Sequence, residues 1–74
     1  MNNILCKFCY KNIAIKYFQH IYRPNRIISY CDLHWKNIVF LWGANGNRDG
    51  EKSFQLYWKL ISKEEYIVLE VMGA

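Results

Sequence analysis

Two short motifs hold the residues of this chain that are best suited to chemistry. The first is CKFC, with Cys6 and Cys9, and the second is CDLH, with Cys31 and His34. A two-residue spacer lets both side chains of one motif reach the same ion, and three sulfurs with one imidazole form the tetrahedral ligand set that zinc prefers. The spacing therefore predicts one zinc ion bound by these four residues.

The predicted zinc is structural and not catalytic. Four protein ligands close the tetrahedron and leave no position for the water molecule that a catalytic zinc activates. The other histidine, His20, is flanked by Gln19 and Ile21 and is interpreted as a surface or packed residue. We therefore expect a protein that is not an enzyme and has no small-molecule substrate.

Length and composition indicate one small globular domain. At 74 residues, a hydrophobic core alone supplies only ~3–5 kcal/mol of net stability, so a metal ion would be a useful second source. The residues are 53% hydrophobic and 18% aromatic, which excludes a disordered chain. The chain has no apolar run of the ~18–20 residues that a bilayer span needs, and no signal peptide is recognised at its start. We expect a cytoplasmic, reducing location without membrane contact, where three cysteines serve as ligands.

A β-hairpin is predicted between the two motifs. Ile13, Ile15 and Tyr17 alternate with other residues at the period of a strand, and β-branched and aromatic residues dominate residues 12–20. The sequence YRPN at residues 22–25 supplies a turn, and residues 26–30 can return as the second strand. Such a hairpin would bring Cys31 back beside Cys9.

After the hairpin, a helix is predicted over roughly residues 33–42, with Asp32 as its N-cap and Gly43 as its end. The apolar run IVFLW also fits a strand, but we favour the helix. Residues 43–50 read as a loop. Residues 54–61 fit helical and strand spacing equally well and stay undecided, whereas Ser62 and Glu65 form a capping box before a short final helix.

The motifs and their order resemble a treble-clef zinc finger, in which a knuckle and hairpin supply two ligands and the first turn of a helix supplies the others. The resemblance covers about residues 5–42 and identifies no particular family. It implies a small zinc-stabilised α+β domain, with a zinc module at 5–42, a loop at 43–50 and a C-terminal segment at 51–74. Treble-clef modules serve in ribosomal and transcription proteins, in protein-binding adaptors and in some nucleases. The nuclease form needs a second catalytic histidine, and none follows His34.

Charge and aromatic residues suggest what such a module would bind. Residues 1–48 have a charge balance of 7 − 1 = +6, and residues 49–74 one of 3 − 5 = −2. Lys11, Lys16, Arg23 and Arg26 lie in or beside the hairpin among several tyrosines, a mixture suited to phosphate contacts and base stacking. The first hypothesis is therefore a module that binds nucleic acid or a nucleic-acid-processing complex, as a regulator of transcription or translation does.

The alternative hypothesis is a protein-binding adaptor or inhibitor, because Tyr, Trp and Arg are also enriched in protein interfaces. Ile, Asn, Lys and Tyr are abundant, a usage typical of AT-rich genomes such as those of many phages, so this alternative includes a phage-encoded inhibitor of a host enzyme or complex. One continuous basic face would favour nucleic acid. An apolar aromatic patch with few charges would favour a protein partner.

Overall fold

Three strands and three helices make up the part of the chain that the computed structural model describes, which is residues 4–43 and 49–73. In chain order these elements are β1 (Lys16–His20), β2 (Ile27–Tyr30), α1 (Asp32–Gly43), α2 (Gly50–Gln55), β3 (Trp58–Ile61) and α3 (Lys63–Val71). The fold is therefore α+β, as predicted. Within these residues, no helix is long and apolar enough to cross a membrane.

The three strands form one antiparallel sheet in the order β2-β1-β3. The predicted hairpin is confirmed: Lys16 pairs with Tyr30, and Gln19 pairs with Ile27. On its other side, β1 pairs with β3, so that Tyr17 lies opposite Ile61. The central strand is thus β1, and the segment near the end of the chain completes the sheet begun by the hairpin.

Both faces of the sheet are covered by helices. Successive side chains of a strand point to opposite faces, so Phe18 of β1 packs in one core cluster and its neighbour Tyr17 in another. The first cluster, on the face of α1 and α2, contains Cys6, Phe18, Tyr30, Cys31, Trp35 and Phe54. The second, on the face of α3, contains Ala14, Tyr17, Ile61 and Tyr66. The result is a three-layer domain in which two cysteines belong to the larger core.

The helix after the hairpin is confirmed, but its start differs from the prediction. Asp32 is the first helical residue, and the backbone N–H of Trp35 donates to the carbonyl oxygen of Cys31 at 2.8 Å. Cys31 therefore occupies the N-terminal cap, and the prediction that Asp32 caps the helix was wrong. Asp32 instead lies in the first turn, where it pairs with Lys36 at 3.2 Å. Its negative charge also interacts favourably with the positive end of the helix dipole.

The undecided segment at residues 54–61 divides between the two alternatives. Its first residues end α2 at Gln55, and its last four form β3. Most of the predicted loop at 43–50, namely residues 44–48, lies outside the described residues, while Gly50 already begins α2. Gly50 packs directly against α1, since a Cβ atom at this position would overlap the carbonyl oxygen of Val39. A glycine is therefore required where these two helices meet.

The final helix begins at the predicted residue. Ser62 is its N-cap, and the Ser62 hydroxyl accepts a hydrogen bond from the backbone N–H of Glu65 at 3.1 Å. Tyr66, one residue further, is fully buried and its ring lies 5.4 Å from that of Tyr17. The local capping signal and the apolar contact together place α3 on the sheet.

Candidate metal centre

The first cysteine motif forms a tight knuckle at the edge of the domain. A β-bridge joins Leu5 to Ile13, and inside it the backbone N–H of Cys6 donates to the carbonyl oxygen of Asn12 at 2.9 Å. The chain reverses at Tyr10, whose φ of 56° is in the left-handed region, one that non-glycine residues seldom adopt. The backbone N–H of Tyr10 also donates to the carbonyl oxygen of Cys6 at 2.9 Å, which closes the turn that contains both cysteines.

The sheet holds the knuckle against the second motif. The backbone N–H of Lys7 donates to the carbonyl oxygen of Ser29 at 2.9 Å, next to the end of β2. The Ser29 hydroxyl, which is fully buried, donates to the carbonyl oxygen of Leu5 at 2.9 Å. Cys31 follows β2 directly, and the first turn of α1 places His34 on the same side as Cys31. The backbone pairing of the knuckle with β2 therefore positions Cys6 and Cys9, and the first turn of α1 positions His34 relative to Cys31.

The four predicted ligands lie together. The sulfur atoms of Cys6, Cys9 and Cys31 and a ring nitrogen of His34 are all within 4.8 Å of one another. His34 Nδ1 is 3.8 Å from the sulfur of Cys6 and 3.2 Å from that of Cys31. In a tetrahedron with Zn–S bonds of ~2.3 Å, neighbouring ligand atoms are ~3.5–3.8 Å apart. The spacing is therefore compatible with a four-ligand site, and Nδ1 is the ring nitrogen of His34 that faces the sulfurs of Cys6 and Cys31.

The cysteines are free thiols in two environments. Cys6 and Cys31 are buried, whereas Cys9 and His34 are half-buried. Two sulfurs thus face the core, and the other two ligand atoms face the edge through which an ion could enter. The backbone N–H of Phe8 donates to the sulfur of Cys6 at 3.4 Å, a contact that helps to fix the position of this sulfur.

The electrostatics of the cluster favour thiolates. The backbone N–H of His34, with its side chain and that of Asn12, lowers the pKa of the Cys31 thiol to about 6. Backbone N–H groups of Asn12 and Lys11 lower the pKa of Cys9. The hydrogen bond to Cys31 raises the pKa of His34. An arriving cation would therefore meet a sulfur that is already ionised, and it would compete with a proton for the imidazole.

The donor set fits zinc well. Soft thiolates and imidazole select zinc over magnesium or calcium, which prefer oxygen ligands. Four protein ligands occupy every position of a tetrahedron, so the site offers no place for a reacting water. Within residues 4–43 and 49–73, this group of Cys and His side chains is the one arranged to hold a metal ion.

The residues predicted to contact nucleic acid fall into two separate groups. Lys11 follows the knuckle and Lys16 begins β1, whereas Arg23 and Arg26 lie in the hairpin tip, the connection formed by residues 21–26. The five residues of β1 separate the groups by roughly 13 Å at ~3.3 Å per residue. Lys16 and the two arginines therefore lie at opposite ends of β1.

His20 lies at the hairpin tip and not at the metal cluster. Its Nδ1 accepts hydrogen bonds from the backbone N–H groups of Tyr22 and Arg23, both at 3.2 Å. Its ring meets that of Trp58 edge-on at 4.7 Å. Tyr22, which is 70% exposed, lies 6.3 Å from Tyr57 between ring centres. The hairpin tip therefore bears an aromatic cluster beside two exposed arginines.

A second surface feature was missed by the sequence interpretation. Phe8, Leu33, Phe40 and Leu41 are between 58% and 74% exposed, and we call these four residues the outer patch. Phe8 lies against the ring of the candidate ligand His34 at 4.6 Å. The signal was present in the sequence, since residues 33, 40 and 41 share one face of a helix whose other apolar face, containing Trp35 and Trp42, accounts for core packing.

Similarity to known proteins gives no further guidance to the function of this arrangement. Comparison of the chain with protein-family models, with curated proteins and with solved structures returned no match.

Proposed function

We propose that this chain is a zinc-stabilised protein-interaction module and not an enzyme. Zinc at Cys6, Cys9, Cys31 and His34 would join the knuckle, the hairpin and α1 into a treble-clef-like unit. The metal would act by holding elements together, because its ligand shell is closed. The surface of this unit would therefore perform the function by binding a partner.

The observation that supports a protein partner is the chemistry of the outer patch. Phe8, Phe40 and Leu41 border a groove of about 240 Å³, which His34, Asn37 and Ile38 complete. Among residues 4–43 and 49–73, no Lys, Arg, Asp or Glu side chain lines this groove. An uncharged apolar surface is what a protein interface core presents, whereas nucleic acid would require cations at the contact.

A pull-down with tagged, zinc-loaded chain tests this proposal. We expect a bound protein that remains after nuclease treatment and is lost with Phe40→Glu, because a charge would be placed in an apolar contact. The double variant Arg23→Ala/Arg26→Ala should retain that protein, since its changes lie at the hairpin tip. Partners that disappear on nuclease treatment and are insensitive to Phe40→Glu would contradict the proposal.

A second candidate function, binding of single-stranded nucleic acid, is favoured by the hairpin tip. Exposed Tyr22 and Tyr57 lie close together there, with Arg23 and Arg26 beside them, and neither arginine forms an ion pair within the described part of the chain. Aromatic rings offer stacking surfaces for bases, and arginines contact phosphates. This arrangement would engage a few nucleotides.

Fluorescence anisotropy with a labelled oligonucleotide tests the second candidate. Two phosphate contacts on a single strand predict a salt slope of about −1.4, from ~0.7 per contact. Arg23→Ala/Arg26→Ala should abolish this slope. Lys11→Ala/Lys16→Ala removes the same charge at the other end of β1 and should leave most of the binding. Equal loss in both double variants would indicate a net-charge effect and would argue against a hairpin-tip site.

A further inference from the structure

Helix α1 is apolar on two opposite faces. Trp35 is buried, and Ile38, Val39 and Trp42 pack against the same core. On the other side, Leu33, Phe40 and Leu41 follow the spacing i, i+7 and i+8, which is one helical face. A helix that is hydrophobic all round is normally buried. The outer side of α1 therefore exposes apolar side chains that a partner could cover.

From this geometry we propose that the cover is a second copy of the chain, which packs its own outer patch against the first in a two-fold symmetric dimer. The inference rests on the proposed function, since it names the protein partner of the same surface. In a two-fold dimer one patch must be complementary to itself. The outer patch meets this condition because it offers both a projecting ring and a groove.

The projecting ring is that of Phe40, which is 74% exposed. The same side chain borders the groove of about 240 Å³. A cavity of ~150 Å³ already accommodates benzene, so the groove of one copy has room for the phenyl ring of the other. Reciprocal insertion would cover both Phe40 side chains at once.

The area of the patch agrees with a small dimer interface. With about 200 Å² for a fully exposed large apolar side chain, the four patch residues expose on the order of 500 Å². That value is at the upper end of patches found on ordinary monomers. Two copies would bury roughly 1,000 Å², which is the lower limit for a specific interface. The dimer should therefore be specific but of modest affinity.

The charged side chains of α1 do not oppose this contact. The charged residues of α1 are Asp32 and Lys36, and they pair with each other at 3.2 Å. The exposed arginines Arg23 and Arg26 lie at the hairpin tip, whereas the knuckle that contributes Phe8 lies at the opposite end of β1. Lys11 and Lys16, however, lie at the same end of β1 as Phe8, so contact between two outer patches would bring these cations of the two copies closer, and salt would screen their repulsion.

Sedimentation velocity of the zinc-loaded full chain from about 5 to 500 µM tests the inference, a range suited to an interface of this size. We expect a concentration-dependent monomer–dimer equilibrium. Phe40→Glu should weaken it at least a hundredfold, because each copy would place a carboxylate in an apolar contact. Leu41→Lys should act in the same direction. Val71→Glu is the matched control, since Val71 is 81% exposed on α3, and it should leave the equilibrium unchanged.

Zinc content and far-UV circular dichroism of each variant would verify that it is folded. A wild-type chain that stays monomeric at about 500 µM overturns the dimer, as does a Val71→Glu variant that dissociates as fully as Phe40→Glu. If the chain is monomeric but Phe40→Glu still loses a captured protein, the dimer is wrong and the proposed interaction module stands. If both measurements fail, the module itself is wrong.

Discussion

Removal of the metal is expected to unfold the domain. Zinc binding to a Cys and His site contributes ~10–16 kcal/mol at neutral pH, whereas the core of a chain this size contributes ~3–5 kcal/mol. The ligands are also part of the larger core: Cys6 is 0% exposed and Cys31 is 2% exposed, in the same cluster as Phe18, Trp35 and Phe54. Without zinc, ionised sulfur would remain at the edge of an apolar cluster. Loss of the zinc-binding free energy and loss of the cation that neutralises the sulfur both destabilise the folded domain.

Near-UV circular dichroism measures this outcome, because Trp35 lies 5.0 Å from Phe18 and 5.4 Å from Phe54 between ring centres. Chelation should abolish the near-UV signal, and one equivalent of zinc should restore it. Cys31→Ser should lack the signal with or without zinc. The reasoning would be refuted if elemental analysis found no metal while the near-UV spectrum stayed intact.

Three further predictions concern the ligands and the packing of α2. Mass spectrometry should find zinc lost in His34→Ala but retained in His34→Cys, because a fourth thiolate preserves the tetrahedron. Zinc should also be retained in His20→Ala, and its loss there would contradict the ligand assignment. A competition assay should find that zinc affinity falls as pH drops through about 6. The lowered pKa of the Cys31 thiol favours folding and metal binding above the ordinary thiol pKa, and this benefit is lost as Cys31 is protonated. Protonation of the His34 imidazole also weakens metal binding. A zinc affinity that does not change between pH 7 and 5 would contradict this prediction. Gly50→Ala should lower the free energy of unfolding by about 1–3 kcal/mol, because the added methyl group overlaps the carbonyl oxygen of Val39. Calorimetry should then show a fall in Tm of at least about 4 °C. An unchanged Tm would show that α2 shifts without cost.

Local signals in the sequence predicted the hairpin, α1 and the start of α3. The alternation around Tyr17 and the turn at residues 22–25 have local causes, and so does the hydroxyl of Ser62, which caps α3 through the N–H of Glu65. The ligand set was predicted from spacing alone, and the structure brings those four side chains together. That the bound ion is zinc stays a prediction.

Features that depend on distant contacts were not predictable. Residues 54–61 fit both periods because Phe54 fills the core from α2 whereas Ile61 fills the other core from β3. Only the pairing of β3 with β1 decides the boundary between them. Asp32 has a residue type that often caps helices. Cys31 occupies the cap position instead, because β2 ends one residue before it and α1 begins one residue after it. The distance between Lys16 and the two arginines of the hairpin tip also follows from the length of β1 and not from composition.

The hydrogen bond from Lys7 to the carbonyl oxygen of Ser29 has a consequence for aggregation. β2 is an edge strand, and the knuckle occupies a backbone acceptor that would otherwise be open to another chain. Unprotected edges promote strand-to-strand association. Loss of the metal would release the knuckle and expose Ile27 and Ile28 beside a free edge. Zinc would then determine not only whether the chain folds but whether it stays in solution, with apo chains accumulating as β-rich aggregates.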